Sequence, residues 1–202
     1  IIARIREGGL TAGDPVTESW LARSLHTTRN QTRDALRTLA GTGLLDYRGS
    51  RGVLVPTPTR ADVFDTYAAR RALGAEVLRR AIANPALDLP AIDAALAHVL
   101  STAESGDSYA TGEADLAFQD VVAACSGMRT LPQMMATLAR QLRVYIAVLG
   151  LGYIYPIAEM VADDTEIARC LRARDTSAAL RAWDRKIDAT LQFMTAHVSR
   201  VR

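Results

Sequence analysis

Lysine is almost absent from this chain. Of its 24 basic residues 23 are arginine, and Lys186, in the stretch AWDRKIDA (182–189), is the only lysine. Histidine is nearly as scarce: His26, His98 and His197 are scattered along the length, so no group of imidazoles stands at metal-ligand spacing. The two cysteines, Cys125 and Cys170, lack such spacing too and fall in helical patterns. That excludes a disulfide framework and reads as two reduced, buried thiols of a cytoplasmic protein. No apolar run is long enough to span a bilayer; the longest, YIAVLGLGYIYPIA (145–158), is interrupted by two glycines and Pro156. No nucleophile is paired with a base and no glycine-rich phosphate loop is present, which leaves no case for an enzyme. Ile1 is not an initiator Met and the pattern starts inside a helix. The native N-terminus is therefore expected upstream, and a missing targeting segment carries little weight.

What is present is a globular composition, with 49% apolar and 23% charged residues. The net charge of +2 is unevenly spread. Residues 1–56 hold 8 arginines against 5 acids, and residues 57–202 hold 16 basic residues against 17 acids. A basic front and a near-neutral back imply two tasks, with any polyanion meeting the front. VPTPT (55–59), with two prolines and no helical period, reads as an extended linker. The expected division is a basic front domain at 1–55, a linker at 56–59 and a helical domain at 60–202. In the last, periodicity and breakers predict helices near 60–83, 89–104, 109–125, 131–148, 156–173 and 175–198. The fold class is mainly α: a winged helix-turn-helix followed by an antiparallel six-helix bundle whose interior can hold a small molecule.

In the front part, VTESWLARSL (16–25) puts Leu21, Ala22 and Leu25 on one face, with Thr17 as N-cap. HTTRNQTRDALRTLAGTG (26–43) follows, with Thr28 as cap and Thr32, Ala35, Leu36 and Leu39 turned inward. Arg29, Arg33 and Arg37 recur every four residues, beside Asn30. GLLDYRGSRGVLV (43–55) is a hairpin whose tip carries Arg48 and Arg51. An arginine row alone is a solvated helix face. A helix pair, that row and a basic hairpin together fit a major groove, where Arg grips guanine, Asn pairs with adenine, and Thr and the helix start meet phosphate.

The stretch TTRNQTRDALRTLAGTGLLDYRGSRGVLV also resembles the winged helix of GntR-type bacterial repressors. The resemblance implies operator contacts at Thr28, Arg29, Asn30 and Arg33, and a wing at Gly49 and Gly52. It departs at His26, where a turn glycine is usual, and at Gln31, where proline is common. Past the linker, DVFDTYAARRAL (62–73), DLAFQDVVAACSGMRTL (115–131) and DDTEIARCLRARDTSAALRAWDRKI (163–187) resemble the FCD effector domain of the FadR subfamily. No extra helix lies between Pro58 and Asp62, which points to the shorter, six-helix variety.

Many FCD domains hold a divalent metal with one Asp and three His. The resemblance places Asp115 on the Asp, and Gln119, Asp164 and Lys186 on the three His. A protonated ammonium repels a dication and offers no lone pair, so the metal is expected to be lost and no cofactor is expected. Helical geometry sets Asp115 on the apolar face of its helix near Phe118, Val122 and Cys125. Lys186 falls at the edge of the stripe Leu180, Trp183, Ile187, Leu191 and Met194. Two readings of Lys186 stay open: its stem snorkels to water, or the ammonium faces a pocket, pairing with Asp115 or Asp164 or with an anionic effector. Of Arg70 and Arg71 one must face out, and the resemblance favours Arg70 as a carboxylate-binding residue. Gln141 and Tyr145, on a helix face with Met134, Leu138 and Leu142, either line a cavity or are satisfied core groups.

The expected function is a ligand-responsive regulator, binding double-stranded operator DNA as a homodimer on an inverted repeat and answering a small carboxylate. Two rivals are a metal-dependent relative using Asp115 with unusual ligands and a DNA-bound module without an effector.

Overall fold

A computed structural model describes residues 1–151 and 156–198 of the chain. Two compact units form. One is Ile1–Thr59 with Arg140–Leu151, and the other is Arg60–Ala139 with residues 156–198.

The first unit opens with α1 (Ile2–Arg6), then α2 (Glu18–Ser24) and α3 (Arg29–Gly41). Thr17 caps α2 by accepting from Trp20 N at 3.3 Å. Thr28 caps α3 in a capping box with Gln31, whose side chain in turn accepts from Thr28 N at 3.2 Å. Strands β1 (Asp46–Tyr47) and β2 (Val53–Leu54) pair antiparallel in the register Asp46↔Leu54 and Tyr47↔Val53. Val16 N donates to Val53 O and Val55 N donates to Asp14 O, so the segment before α2 lines the hairpin as well. Ile5, Val16, Leu21, Leu36, Leu45 and Val55 form the core, with Ala147 and Val148 packed against it.

Two residues expected inside are outside. Leu25 is 63% exposed because α2 ends at Ser24 and Leu25 is already its C-cap. Ala35 is exposed because α3 buries only a narrow stripe, Thr32 and Leu36 with Leu39 half-buried.

The remaining helices are α4 (Arg60–Ala83), α5 (Leu89–Glu104), α6 (Ser108–Ala124), α7 (Thr130–Val148), α8 (Ile157–Ala173) and α9 (Thr176–Val198). The expected spans agree to within a residue at each end. Asp88 and Asp107 cap α5 and α6, and Arg174 in the left-handed conformation closes α8. In the second unit α4 packs on α6, α8 and α9, and α5 packs on α6 and α8. Phe118, Ile92, Met160, Leu171 and Val63 are among its fully buried side chains.

Helix α7 corrects the sequence reading at its start, while Leu142 and Tyr145 are buried as expected. Met135, Ala139, Leu142 and Ile146 are buried, whereas Met134 is 46% exposed. Apolar residues run almost all round α7 after Leu142, so periodicity alone does not fix the buried stripe. Of the apolar run 145–158, residues 152–155 lie outside the described residues. Among the described residues no helix is long and apolar enough to cross a membrane.

Candidate functional site

At the front, α3 presents Arg29, Asn30, Arg33 and Arg37, all exposed, with Thr28 at its start. Arg33 does not stand by itself. Its Nε and a terminal nitrogen fork onto the two oxygens of Glu18 at 2.7 and 2.9 Å. The Arg33 hydrogen bond, aided by the charges of Arg33, Arg37 and Arg29, lowers the Glu18 carboxyl against the opposing effect of desolvation. Glu18 therefore holds Arg33 in one orientation, a role missed from sequence because the partners are fifteen residues apart.

Gln31 is the other instructive position. It accepts from Thr27 Oγ1 at 2.6 Å and Thr28 Oγ1 at 2.9 Å, so the chain closes this helix start with an amide. His26 sits at φ 50°, in the left-handed region. A non-glycine residue is strained there, which is the physical sense of the glycine usual at this place. Ser19, Ala22, Arg23, His26, Thr27 and Arg29 line an open groove of about 490 Å³ between α2 and the start of α3. The wing tip is a single 3₁₀ turn, Gly49–Arg51. Gly49 and Gly52 both hold positive φ, Arg51 is exposed, and Arg48 pairs with Asp46 at 3.2 Å.

The second unit brings Arg70, Asp115, Gln119, Asp164 and Lys186 into one buried cluster drawn from four helices. Arg70 on α4 donates to Gln119 Oε1. Gln119 Nε2, one turn along α6, donates to Asp115 Oδ1 at 2.9 Å. Lys186 on α9 reaches both Asp115 Oδ1 and Asp164 Oδ1 at 2.7 Å, the latter from α8. Lys186 is only 4% exposed, so its stem does not snorkel to water; the ammonium bridges two carboxylates. Arg70 is the inward member of its pair. Arg71 lies nearer the surface with Asp184 and Asp188.

Burial acts most strongly on Asp164, Asp115 and Lys186. For Asp164, fully buried and close to the Asp115 charge, it wins over the attraction of Lys186 and holds the carboxyl well above the usual range. For Asp115 it is outweighed by the charge and hydrogen bond of Lys186 and by Gln119, so that carboxyl is lowered. For Lys186 the two carboxylates overcome burial and raise the ammonium above its ordinary value. Tyr67, buried beside the cluster, is pushed up chiefly by burial.

A cavity of about 20 Å³ adjoins the cluster, walled by Gly74, Phe118, Val122, Ile167 and Trp183 with Gln119 as its polar lining. Gly74 is there for contact: a Cβ on it would lie 2.3 Å from the Trp183 ring. Trp183 Nε1 donates to the Arg71 carbonyl at 3.1 Å, fixing the indole against α4. Metabolite pockets are roughly 300–1,000 Å³, so a ligand enters here only if the helices part.

Gln141 and Tyr145 lie in the first unit's share of α7, where Gln141 Nε2 donates to Tyr145 Oη at 2.8 Å.

The four positions that the resemblance makes metal ligands do converge, but they do not fit a divalent ion. An ammonium nitrogen lies between the two carboxylates at bonding distance from both, and a protonated amine cannot donate a lone pair. Among the described residues no three His, Cys, Asp or Glu side chains gather to hold a metal.

Comparison with known proteins agrees with this layout. The sequence model of the FCD domain matches residues 65–189, and that of bacterial regulatory proteins of the gntR family matches residues 1–55. A protein of Paenarthrobacter nicotinovorans, described as a probable D-xylose utilization operon transcriptional repressor, is 26% identical over 197 residues, covering 98% of this chain and 86% of that protein. Among solved structures, a GntR-type transcriptional regulator of Rhodococcus sp. RHA1 is similar at TM-score 0.79 and 21% identity, covering 96% of this chain and 93% of that one. E. coli McbR/YncC is similar at TM-score 0.77 and 20% identity, covering 96% of this chain and 92% of that one. These two structural likenesses speak to the fold.

Proposed function

The chain belongs to the FCD-domain members of the gntR family of bacterial transcriptional regulators, and from that premise we propose that it is a cytoplasmic, ligand-responsive repressor. It binds an inverted-repeat operator as a homodimer, since symmetric half-sites call for a symmetric protein. Residues 1–55 are the reading head and residues 60–202 the effector and dimerisation part. Arg29, Asn30, Arg33 and Arg37 enter the major groove, with Thr28 at phosphate. Arg48, Gly49, Arg51 and Gly52 form the wing contact.

The observation that carries this reading is the exposed arginine row on a capped α3, oriented in part by Glu18 and placed in one unit with a basic hairpin. A mobility-shift assay on palindromes upstream of the gene tests it. Salt-sensitive, sequence-specific retardation is expected, and absence of any preferred sequence would defeat it. Arg29→Ala is expected to weaken specific binding by roughly 1–3 kcal/mol.

The effector is a small anion, by class a carboxylate, that parts the helices around the Gln119-lined cavity and meets Arg70 and Gln119. Asp115, Asp164 and Lys186 hold those two residues in place. Binding shifts the helix packing and thereby the mobility of the reading heads, releasing DNA. Gln141 and Tyr145, bonded to each other in the first unit, stand outside this set. The named relative's D-xylose operon puts sugars and sugar acids beside the carboxylates to be screened.

A cavity of only about 20 Å³ beside a self-paired cluster favours a second reading, a bundle without an effector. Thermal shift across such a panel separates the two. A stabilising ligand lost in Arg70→Ala supports the first, and a flat panel beside normal operator binding supports the second.

A further inference from the structure

The buried cluster has the form of a cation site that the protein fills with a side chain of its own. Asp115 Oδ1 and Asp164 Oδ1, from different helices, point at one nitrogen at equal distances of 2.7 Å. Asp164 is completely buried, and its second oxygen has no hydrogen-bond partner among the described residues. Two carboxyl groups held this close repel each other when both are ionised, and a charge on either cannot be left uncompensated in an apolar interior. Gln119 orients Asp115 from one side, while its own oxygen is held by Arg70. The surroundings are therefore pre-formed. Only the central charge has to be supplied, and α9 supplies it on a four-carbon stem.

We propose that the Lys186 ammonium is a tethered cation occupying a latent cation site, which makes the bundle independent of any metal and closes the site to dissolved cations. The tether matters as much as the charge. A covalently attached ammonium has no binding equilibrium with solution, so chelators and metal supply do not reach it. Cutting the side chain back to Ala removes three methylenes and the ammonium, leaving room between the carboxylates for a free cation. Oxygen donors of this kind suit hard ions such as Mn²⁺ or Ca²⁺, whose bonds to oxygen run to about 2.0–2.6 Å and need only slight closure of the carboxylates. The excised fragment itself has the shape of propylammonium, which should refill the gap.

The test compares wild type, Lys186→Ala and Asp115→Asn/Lys186→Ala, full-length, by thermal melting and calorimetric titration. The probes are MnCl₂ and propylammonium chloride, against NaCl with EDTA. Wild type should melt at the same temperature with EDTA or Mn²⁺ and bind no Mn²⁺. Lys186→Ala should melt roughly 10 °C lower in EDTA, recover much of that loss with either probe, and bind one equivalent of Mn²⁺. The double variant, short of a carboxylate, should lose the recovery. If Lys186→Ala is insoluble, refolding with and without the probes gives the same answer: a higher yield with either is the supporting result. Stoichiometric Mn²⁺ on wild type, or a Lys186→Ala protein that neither melts higher nor refolds better with either cation, would overturn the proposal.

Discussion

Asp115 and Asp164 carry the same side chain and share one ammonium, yet their surroundings pull them apart. Asp164 is more deeply buried, and its raised carboxyl lets the native state hold a proton that the unfolded chain releases. Its contribution to stability thus falls as pH climbs from the ordinary carboxylate value through its own raised one. The lowered Asp115 acts the other way, contributing above the ordinary value and losing that contribution as pH drops through its folded one. The groups facing them are Lys186 on α9, Arg70 and Tyr67 on α4, and Gln119 on α6. Asp115→Asn, which takes the ionised partner from a buried ammonium, is expected to cost about 3–5 kcal/mol. Asp164→Asn, close in shape to a protonated acid, should cost distinctly less and flatten the loss of stability with rising pH. Urea midpoints over mildly acid to neutral pH check both; equal losses at all pH values would contradict the assignment. At the front, His26→Gly should stabilise the first unit by roughly 0.5–1 kcal/mol by relieving the left-handed backbone, measured by denaturant unfolding. A loss of stability instead would show that the imidazole makes a contact outweighing the strain.

Helices were the most legible elements. Apolar periodicity and the Pro- and Gly-bearing breakers between segments let α4 to α9 be drawn from sequence nearly to the residue, and the caps Asp88 and Asp107 emerged with the structure. What escaped was whatever depends on another element. The Glu18–Arg33 fork joins two helices, and the buried stripe of α7 is hidden where nearly every residue is apolar. Trp183 was placed in the core of α9, but nothing in the sequence said that Gly74 on α4 leaves the gap for its ring. Gly74→Ala puts a methyl into that ring and must push α4 from α9, at an expected cost of about 1–3 kcal/mol. A thermal melt unchanged by Gly74→Ala would mean the ring has another place to go. Lys186 shows the same limit. Its position at the edge of a helical stripe was readable and Asp115 or Asp164 was among its expected partners, but they lie 71 and 22 positions away in sequence, and only the fold shows one ammonium reaching both.

On the scale of the whole molecule, the charge asymmetry sets a basic part, residues 1–56, against a near-neutral one, residues 57–202, and each unit of the structure carries its own group of candidate residues. The front has a capped, arginine-bearing helix and a wing; the bundle has a closed polar cluster from four helices and a cavity too small for a metabolite at rest. On the proposed reading, regulation rests on the helices opening around that cluster, and repression on the arginine-bearing helix and wing. The second is the central claim. Selection of bound duplexes from a random-sequence pool, run with wild type and with Arg29→Ala, tests it most directly. The account predicts that wild type enriches an inverted repeat and that Arg29→Ala loses preference at one symmetric pair of positions. Enrichment of no sequence by wild type, or the same repeat with undiminished preference by Arg29→Ala, would contradict it.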